Sequence, residues 1–161
     1  MASSASVESF SIISVNEKEC VGCRICEICC SLTKEGYINP DRSRIRVMRL
    51  QNHVDLPVLC RQCEDAPCIK ACKDDAIARA ADNTIAIDPE RCTNCGLCVR
   101  ACPFDAIFLH PDTECAVTCD LCSGTPVCVK YCPTKCITYS SWEESLEAER
   151  GSETTLYKSL I

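Results

Sequence analysis

Sixteen of the nineteen cysteines in this 161-residue chain fall into four groups of four, which we call quartets and number along the chain. They are Cys20-x2-Cys23-x2-Cys26-x3-Cys30, Cys60-x2-Cys63-x4-Cys68-x3-Cys72, Cys92-x2-Cys95-x2-Cys98-x3-Cys102 and Cys119-x2-Cys122-x5-Cys128-x3-Cys132. A C-x2-C-x2-C loop wraps three thiolates around one face of an iron–sulfur cube, and a fourth cysteine one helical turn further on faces a second cube. The quartets therefore predict four [4Fe-4S] clusters, a composition typical of proteins that conduct electrons.

Two other uses of many cysteines fit the spacing less well. Zinc sites normally use isolated C-x2-C pairs separated by a long gap, whereas here cysteines follow one another in strict threes and two quartets end in Cys-Pro. Disulfide scaffolds belong to short secreted chains. Residues 1–6 have neither a basic start nor an apolar segment, so we expect no signal peptide.

Composition and charge indicate a domain organised by its cofactors. Apolar residues make up 47% of the chain with cysteine included, and only about 35% without it, which is thin for a core. We therefore expect the clusters to replace missing core and the metal-free chain to be unfolded. The formal charge is −6, and cubes with four thiolates, at about −2 each, make it more negative still. This charge disfavours nucleic acid as a partner.

The elements that position the cysteines recur along the chain. Residues 75–89 contain two short apolar segments around Asp82-Asn83, which predict a β-hairpin with a tight turn. Residues 105–109 and 136–139 repeat the start of that pattern after the third and fourth quartets. Each unit is thus predicted to be a cluster loop, a short helical turn carrying the fourth cysteine, and a strand. No apolar run reaches the roughly 18 residues of a membrane span, so we expect a soluble, cytoplasmic protein.

Two further segments have two interpretations each. Residues 40–50 alternate in part between arginines and apolar residues, which predicts a strand with one basic face. That face is either a solvated strand edge or a docking site for an acidic partner; its arginines are Arg42, Arg44, Arg46 and Arg49. Residues 140–161 form a predicted tail, either a strap over the protein's own surface or an arm that grips another subunit. Ser141 and Glu144 have the spacing of a capping box that begins a helix.

The second to fourth quartets also carry a family resemblance. The segments 59–68, 92–103, 119–122 and 132–134 resemble the iron–sulfur electron-transfer subunits of molybdenum and tungsten oxidoreductases. That family includes small subunits of dimethyl sulfoxide reductase, formate dehydrogenase and formate hydrogenlyase complexes, and the resemblance covers residues 18–139. The opening of the first quartet through residue 47 is most similar to the small subunits of tungsten-dependent aldehyde oxidoreductases. A second similar group serves the tungsten enzyme of benzoyl-CoA reduction.

The resemblance implies an α+β fold of two nested bacterial-ferredoxin-like modules, in which short β-hairpins and helical turns surround four cubane clusters. Quartets one and four form the outer module, and residues 58–110 form the inner one; residues 1–17 are an N-terminal extension with the first strand. Each fourth cysteine is implied to bind the cluster of the partner quartet. The implied ligand sets are Cys20, Cys23, Cys26 and Cys132 for cluster 1; Cys60, Cys63, Cys68 and Cys102 for cluster 2; Cys92, Cys95, Cys98 and Cys72 for cluster 3; and Cys119, Cys122, Cys128 and Cys30 for cluster 4.

The function implied by the resemblance is electron transfer without catalysis. The chain has no Gly-rich phosphate loop and no flavin or nicotinamide motif, and His53 and His110 are isolated. The expected partners are a tungsten- or molybdenum-pterin catalytic subunit and an acceptor, either a flavin/NAD subunit or a ferredoxin. End-to-end association of copies of the chain is a further expected contact. The alternatives are a free polyferredoxin and a subunit of a benzoyl-CoA reductase-type tungsten complex.

Three cysteines lie outside the quartets: Cys29, Cys115 and Cys136. We expect them to be buried thiols that act as small apolar groups. Cys29 competes with Cys30 as a ligand, and the x3 spacing shared by all quartets favours Cys30. Cys115 competes with Cys119, whose spacing to Cys122 fits the pattern better.

Overall fold

The computed structural model of the protein describes residues 10–50 and 53–145. Four short helices and eight short strands alternate along this part of the chain, with 3-10 turns at 17–19, 40–42 and 121–124. The elements are β1 Ser11–Val15, α1 Ile25–Glu35, β2 Arg46–Arg49, β3 Asp55–Val58, α2 Pro67–Ala71, β4 Ile77–Arg79, β5 Ile85–Ile87, α3 Leu97–Ala101, β6 Phe108–Leu109, β7 Ala116–Val117, α4 Val127–Lys130 and β8 Ile137–Ser141. None of the described helices is long and apolar enough to cross a membrane.

The strands form four separate antiparallel pairs, and the fold is α+β as predicted. Three pairs are local, β2 with β3, β4 with β5 and β6 with β7, whereas β1 pairs with β8 across almost the whole described chain. In that long-range pair Ile13 lies opposite Tyr139 and Val15 opposite Ile137. The two ends of the described chain are therefore joined into one sheet directly beside the first and last quartets.

The helices also pack in pairs that join distant parts of the chain. Helix α1, which follows the first quartet loop, packs on α4 of the fourth quartet, and α2 of the second quartet packs on α3 of the third. Lys34 near the end of α1 donates a hydrogen bond of 2.6 Å from Nζ to Asp120 Oδ2, between the first two cysteines of the fourth quartet. Sequence-distant quartets one and four are thus neighbours, as are quartets two and three.

The core of the described residues is built to an unusual extent from thiols. Nine of its 23 buried residues are cysteines, and the rest are mainly small or aliphatic side chains such as Ile45, Ile85, Ile107 and Ile137. Sheets of two strands are marginally stable by themselves, and helices of this length do not persist without packing. These short helices and strands consequently need the groups that the cysteines bind to hold them in place.

One buried amide connects the two pairs of quartets. Gln62, between the first two cysteines of the second quartet, is almost completely buried. Its Nε2 donates to the carbonyl of Cys119 at 2.8 Å, and its Oε1 accepts from the amide of Ile85 at 2.7 Å. The second-quartet loop is therefore fixed both to the start of the fourth quartet and to strand β5.

Several predicted elements are confirmed. The hairpin around Asp82-Asn83 is β4 and β5, with Asn83 at φ 68° in the turn, and the strand predicted at 136–139 is β8. Ser141 and Glu144 form the predicted capping box, since the Glu144 amide donates to Ser141 Oγ and the Ser141 amide to Glu144 Oε2. The predicted strand at 105–109 is shorter, Phe108–Leu109. The fourth cysteines of the second, third and fourth quartets lie past their helices rather than within them, and only Cys30 lies within its helix.

The prediction of one strand with a basic face over residues 40–50 was wrong. Pro40 begins a 3-10 turn, so the strand is confined to Arg46–Arg49. The arginines have partners within the chain. Arg42 pairs with Asp112 and stacks on Tyr37, and Arg44 pairs with Glu35. Arg46 covers the Phe108 ring at 3.6 Å, and Arg49 pairs with Asp55. They serve to join segments of the fold.

The predicted N-terminal extension and tail lie partly outside the described residues, at 1–9 and 146–161.

Candidate metal centres

Each quartet begins with a loop whose backbone turns sharply before the second cysteine. The residue at that position has a positive φ in all four loops: Gly22 (65°), Gln62 (52°), Asn94 (57°) and Leu121 (55°). Such left-handed residues turn successive backbone N–H groups toward one side and create a concave site that favours anions. At Gly22 an added Cβ would also collide with the carboxylate of Asp55, so a larger residue there would displace the Asp55 side chain, which pairs with Arg49.

The first implied ligand set surrounds one opening in the protein surface. Cys20, Cys23 and Cys26 line it together with Cys132, which comes from the end of the fourth quartet. Cys23 is exposed, whereas Cys26 and Cys132 are buried. The long-range pairing of β1 with β8 accounts for this arrangement, because β1 precedes Cys20 and β8 follows Cys132.

The third implied set lines a second opening. Cys92, Cys95 and Cys98 face it from their own loop, and Cys72 reaches it from the end of helix α2. The walls between the thiols are small or apolar and include Ala76, Ile77, Gly96 and Ala116. The packing of α2 on α3 brings Cys72 to this loop.

The second and fourth implied sets lie deeper in the protein. The thiols of Cys60 and Cys63 interact electrostatically with each other and with that of Cys102, and the thiol of Cys68 interacts with those of Cys60 and Cys102. In the fourth set, Cys128 interacts in the same way with Cys30, Cys119 and Cys122, and also with Cys29, which lies outside the quartets. In each set, thiols from a quartet loop meet the fourth cysteine of another quartet.

Burial raises the pKa of several quartet thiols and so favours their protonated form while no metal is bound. Desolvation raises the pKa of Cys119 and Cys26, raises that of Cys128 to about 12 and raises that of Cys68 to about 11. Because the thiolate is the metal ligand, metal binding to these groups must release protons. A buried thiolate is costly without a compensating positive charge, and the metal would supply that charge.

Cys132 differs from the other buried thiols. Burial raises its pKa, but hydrogen bonds from the Ile137 amide and from the Cys136 and Thr134 side chains outweigh that effect and lower the pKa to about 7. Three other fourth cysteines also accept amide hydrogen bonds at sulfur: Cys30 from Arg44 at 3.3 Å, Cys72 from Ala76 at 3.3 Å and Cys102 from Ala106 at 3.4 Å. Amide donors to sulfur stabilise the thiolate that a metal requires.

The donor set suits iron–sulfur clusters, because it consists of thiolates in sets of four. Within residues 10–50 and 53–145, no three His, Cys, Asp or Glu side chains lie close enough together to hold a single metal ion. The thiols of the first and third sets instead lie around the walls of openings. Which thiols bind a cluster, and how many clusters form, remain predictions.

The cysteines outside the quartets have different surroundings. Cys115 is partly exposed and its Sγ lies 3.6 Å from the carbonyl of Pro89, and half-buried Cys29 lies 3.4 Å from the carbonyl of Cys26. Cys136 is buried, as predicted, but it lines the opening of the first set, 3.5 Å from Cys132 in Sγ–Sγ distance. Sequence reasoning missed this position, although the repeat contains a signal for it: Cys136 follows Cys132 by four residues, as Ala76 follows Cys72 and Ala106 follows Cys102.

Sequence reasoning also missed a buried carboxylate in helix α1. Glu27 directly follows Cys26 and is almost fully buried. Its Oε1 accepts a hydrogen bond of 2.6 Å from the amide of Val47, and its Oε2 lies 3.6 Å from Arg24 Nη1. The side chain therefore fixes strand β2 against the helix that carries the third and fourth cysteines of the first quartet.

The segment that contains the third quartet matches a known family model. Residues 85–108, which contain all of the third quartet, match the family model of the 4Fe-4S binding domain. The chain therefore contains a ferredoxin-type 4Fe-4S domain in this segment.

Curated relatives match the chain over about half of its length. The polyferredoxin-like subunit of an aliphatic sulfonate oxidoreductase from Pyrococcus furiosus is 40% identical over 85 residues, covering 52% of this chain and 49% of that protein. The electron transport protein HydN of Escherichia coli is 35% identical over 94 residues, with 52% and 50% covered. Formate hydrogenlyase subunit 2 of Escherichia coli is 38% identical over 78 residues, with 48% and 37% covered. The chain spans half or less of the length of these relatives.

Two solved structures are similar over nearly the whole chain. Both are chains of the active site complex BamBC of benzoyl coenzyme A reductase, one with 1,5-dienoyl-CoA and one with zinc. The first is 25% identical with a TM-score of 0.50 and coverage of 93% and 98%, and the second is 26% identical with a TM-score of 0.51 and coverage of 90% and 92%. The relatives are thus named as electron-transport proteins and subunits of oxidoreductases, and the chain is similar to iron–sulfur electron-transfer subunits.

Proposed function

We propose that this chain is an electron-transfer subunit that holds four [4Fe-4S] clusters and has no catalytic site of its own. The observation that carries the proposal is the position of two fourth cysteines: Cys132 and Cys72 each line an opening together with three cysteines of another quartet loop. When bound, each cluster supplies a centre that accepts and releases one electron. The protein's part is to hold the thiolates, donate hydrogen bonds to sulfur and exclude water.

The chain pairings support two nested modules as the arrangement of the four sets. In this proposal the outer module contains β1, α1, α4 and β8, and the inner module contains α2, β4, β5 and α3. Gln62 connects the modules through its hydrogen bonds to Cys119 and Ile85. Thiols of the two modules also come close to each other, since Cys119 interacts electrostatically with Cys60. We infer that electrons pass between the two modules at this contact.

The proposed partners are a tungsten- or molybdenum-pterin catalytic subunit of the aldehyde oxidoreductase type and an acceptor, either a flavin/NAD subunit or a ferredoxin. The similarity to the Pyrococcus furiosus subunit supports membership of an oxidoreductase complex. The full-length similarity to chains of the BamBC complex supports the same conclusion and favours, as the second candidate, a complex of the benzoyl-CoA reductase type. Both observations count against a freely diffusing polyferredoxin.

Metal and sulfide analysis tests the proposed function. The protein purified without oxygen is expected to contain about 16 iron and 16 sulfide per chain, by ligand counting from four sets of four thiolates. Stepwise reduction is expected to bleach its visible absorption and to produce paramagnetic signals of reduced cubes. Iron near half that amount, or zinc in stoichiometric quantity, would contradict the proposal. Tungsten and molybdenum analysis of the untagged native complex identifies the class of catalytic partner.

Helix α1 offers a surface on which the catalytic subunit can dock. Ile25, Ile28 and Leu32 are exposed and lie on one side of the helix, because they are spaced i, i+3 and i+7. Val21, in the loop that precedes the helix, is exposed as well. We call these four residues the α1 apolar row. Val21, 64% exposed, also lines the opening of the first set. A subunit seated on the row would therefore cover the first set and receive or supply electrons there.

Charge placed in the α1 apolar row is expected to separate the complex. The double substitution Ile28→Glu and Leu32→Glu puts carboxylates at the centre of the proposed interface, where burial of an unpaired charge is costly. We expect at least about tenfold weaker binding of the catalytic subunit and an unchanged iron content, measured by co-purification and binding titration. Met48→Glu is the matched control, since Met48 is similarly exposed but lies on strand β2. A complex that survives the double substitution would place the docking surface elsewhere.

A further inference from the structure

The repeat of the quartets makes three positions structurally equivalent. Ala76, Ala106 and Cys136 each follow a fourth cysteine by four residues, each precedes an isoleucine, and all three are buried. The amides of Ala76 and Ala106 donate to Cys72 Sγ and Cys102 Sγ. The fold therefore places the side chain of this position directly beside a sulfur that is a proposed cluster ligand.

Cys136 differs from its two counterparts by its thiol. Its Sγ lies 3.5 Å from Cys132 Sγ, within hydrogen-bonding distance for sulfur, and lines the opening shared by the first set. Alanine at the equivalent positions presents only a methyl group. A sulfur that coordinates iron carries no proton, so in the loaded protein Cys136 must be the donor and Cys132 the acceptor.

We propose that Cys136 is a tuning residue for the first cluster: its S–H donates a hydrogen bond to Cys132 and makes the reduction potential of that cluster more positive. This inference rests on the proposed function. Hydrogen bonds to the sulfurs of a cluster make its potential more positive, because the donor hydrogens stabilise the additional negative charge of the reduced form. The first cluster then differs from the second and third, whose fourth ligands have alanine at the corresponding place.

The consequence is a preferred position for the electron. The set proposed for cluster 1 has an exposed thiol, Cys23, and its opening is also lined by Val21 of the α1 apolar row. A more positive potential holds an electron at this side of the protein, next to the proposed catalytic partner.

Cys136→Ala and Cys136→Ser test the proposal on the intact, iron-loaded protein. The alanine variant installs the residue that the other two repeats already have, whereas serine keeps a donor. We expect redox titration followed by electron paramagnetic resonance to show one component shifted to a more negative potential in Cys136→Ala and restored toward the original value in Cys136→Ser. Iron and sulfide contents should remain unchanged in both variants.

Two controls make the measurement specific. Cys115→Ala removes a cysteine whose Sγ lies by the carbonyl of Pro89, and it should shift no component. Ala106→Cys places a thiol beside Cys102 and should make a second component more positive. An unchanged titration curve in Cys136→Ala would overturn the proposal, and so would loss of about four iron per chain, since Cys136 would then be a ligand. Failure of the proposed function is recognised separately, because the unmodified protein would then lack reducible clusters.

Discussion

Removal of iron and sulfide without oxygen is expected to abolish the folded state. Nine of the 23 buried core residues in the described chain are cysteines, and eight of these are proposed cluster ligands. Without clusters the thiols face openings, and the remaining aliphatic contacts are spread over twelve short elements. Two-stranded sheets and helices of one to three turns do not compensate for the lost conformational entropy of the chain.

Far-ultraviolet circular dichroism measures this loss. After treatment with a chelator and a thiol reductant, the spectrum should resemble that of an unfolded chain, and thermal melting should lose its cooperative transition. Reconstitution with iron and sulfide should restore both, because cluster binding and folding share one free energy. Protein carried through the same steps without chelator is the control. A metal-free chain that still melts cooperatively would show that the aliphatic core is sufficient.

The features that the sequence predicted are those encoded over short distances. The hairpin β4–β5 follows from a local turn signal at Asp82-Asn83, and the capping box of Ser141 and Glu144 follows from a spacing of three residues. The quartet loops are also local, and their repetition along the chain is visible by inspection. Such features depend on neighbouring residues and are therefore accessible without the fold.

The features that were missed or wrong depend on contacts between distant segments. The arginines of residues 40–50 have the alternation of a basic strand face, but Arg42 pairs with Asp112 and Arg46 stacks on Phe108, which no local pattern encodes. The same is true of Gln62, whose partners at Cys119 and Ile85 belong to other units. The position of Cys136 beside Cys132 is an intermediate case, because the spacing of four residues is visible in the sequence whereas the contact between the two sulfurs depends on the fold.

Substitution of Cys132 is expected to damage the protein more than that of any cysteine outside the quartets. Cys132 is buried at the opening lined by Cys20, Cys23 and Cys26. A cluster bound there would join two segments about 100 residues apart, next to the only long-range strand pair among the described elements, β1 with β8. By the loop-closure argument, a cross-link of that span stabilises a fold by about 4–5 kcal/mol. Its loss should therefore lower stability as well as cluster content.

The experiment must remove the neighbouring thiol as well. Cys136 Sγ lies 3.5 Å from Cys132 Sγ and could supply a replacement ligand in the single variant. The double substitution Cys132→Ala and Cys136→Ala is expected to lose about four iron and four sulfide per chain, to lack one redox component and to melt at a lower temperature. Cys136→Ala alone, and Cys29→Ala, should keep the full iron content.

The outcome decides how the two ends of the fold are held together. Retention of full iron by the double variant would show that the first loop completes its cluster without the end of the fourth quartet, which would contradict the proposed exchange of ligands between quartets. Loss of two clusters would show instead that the first and fourth sets assemble only as a pair. Loss of one cluster, with a helical circular dichroism signal that shows retained α1–α4 packing, is the result that the proposed ligand exchange predicts, because the fourth set keeps Cys119, Cys122, Cys128 and Cys30 in the double variant.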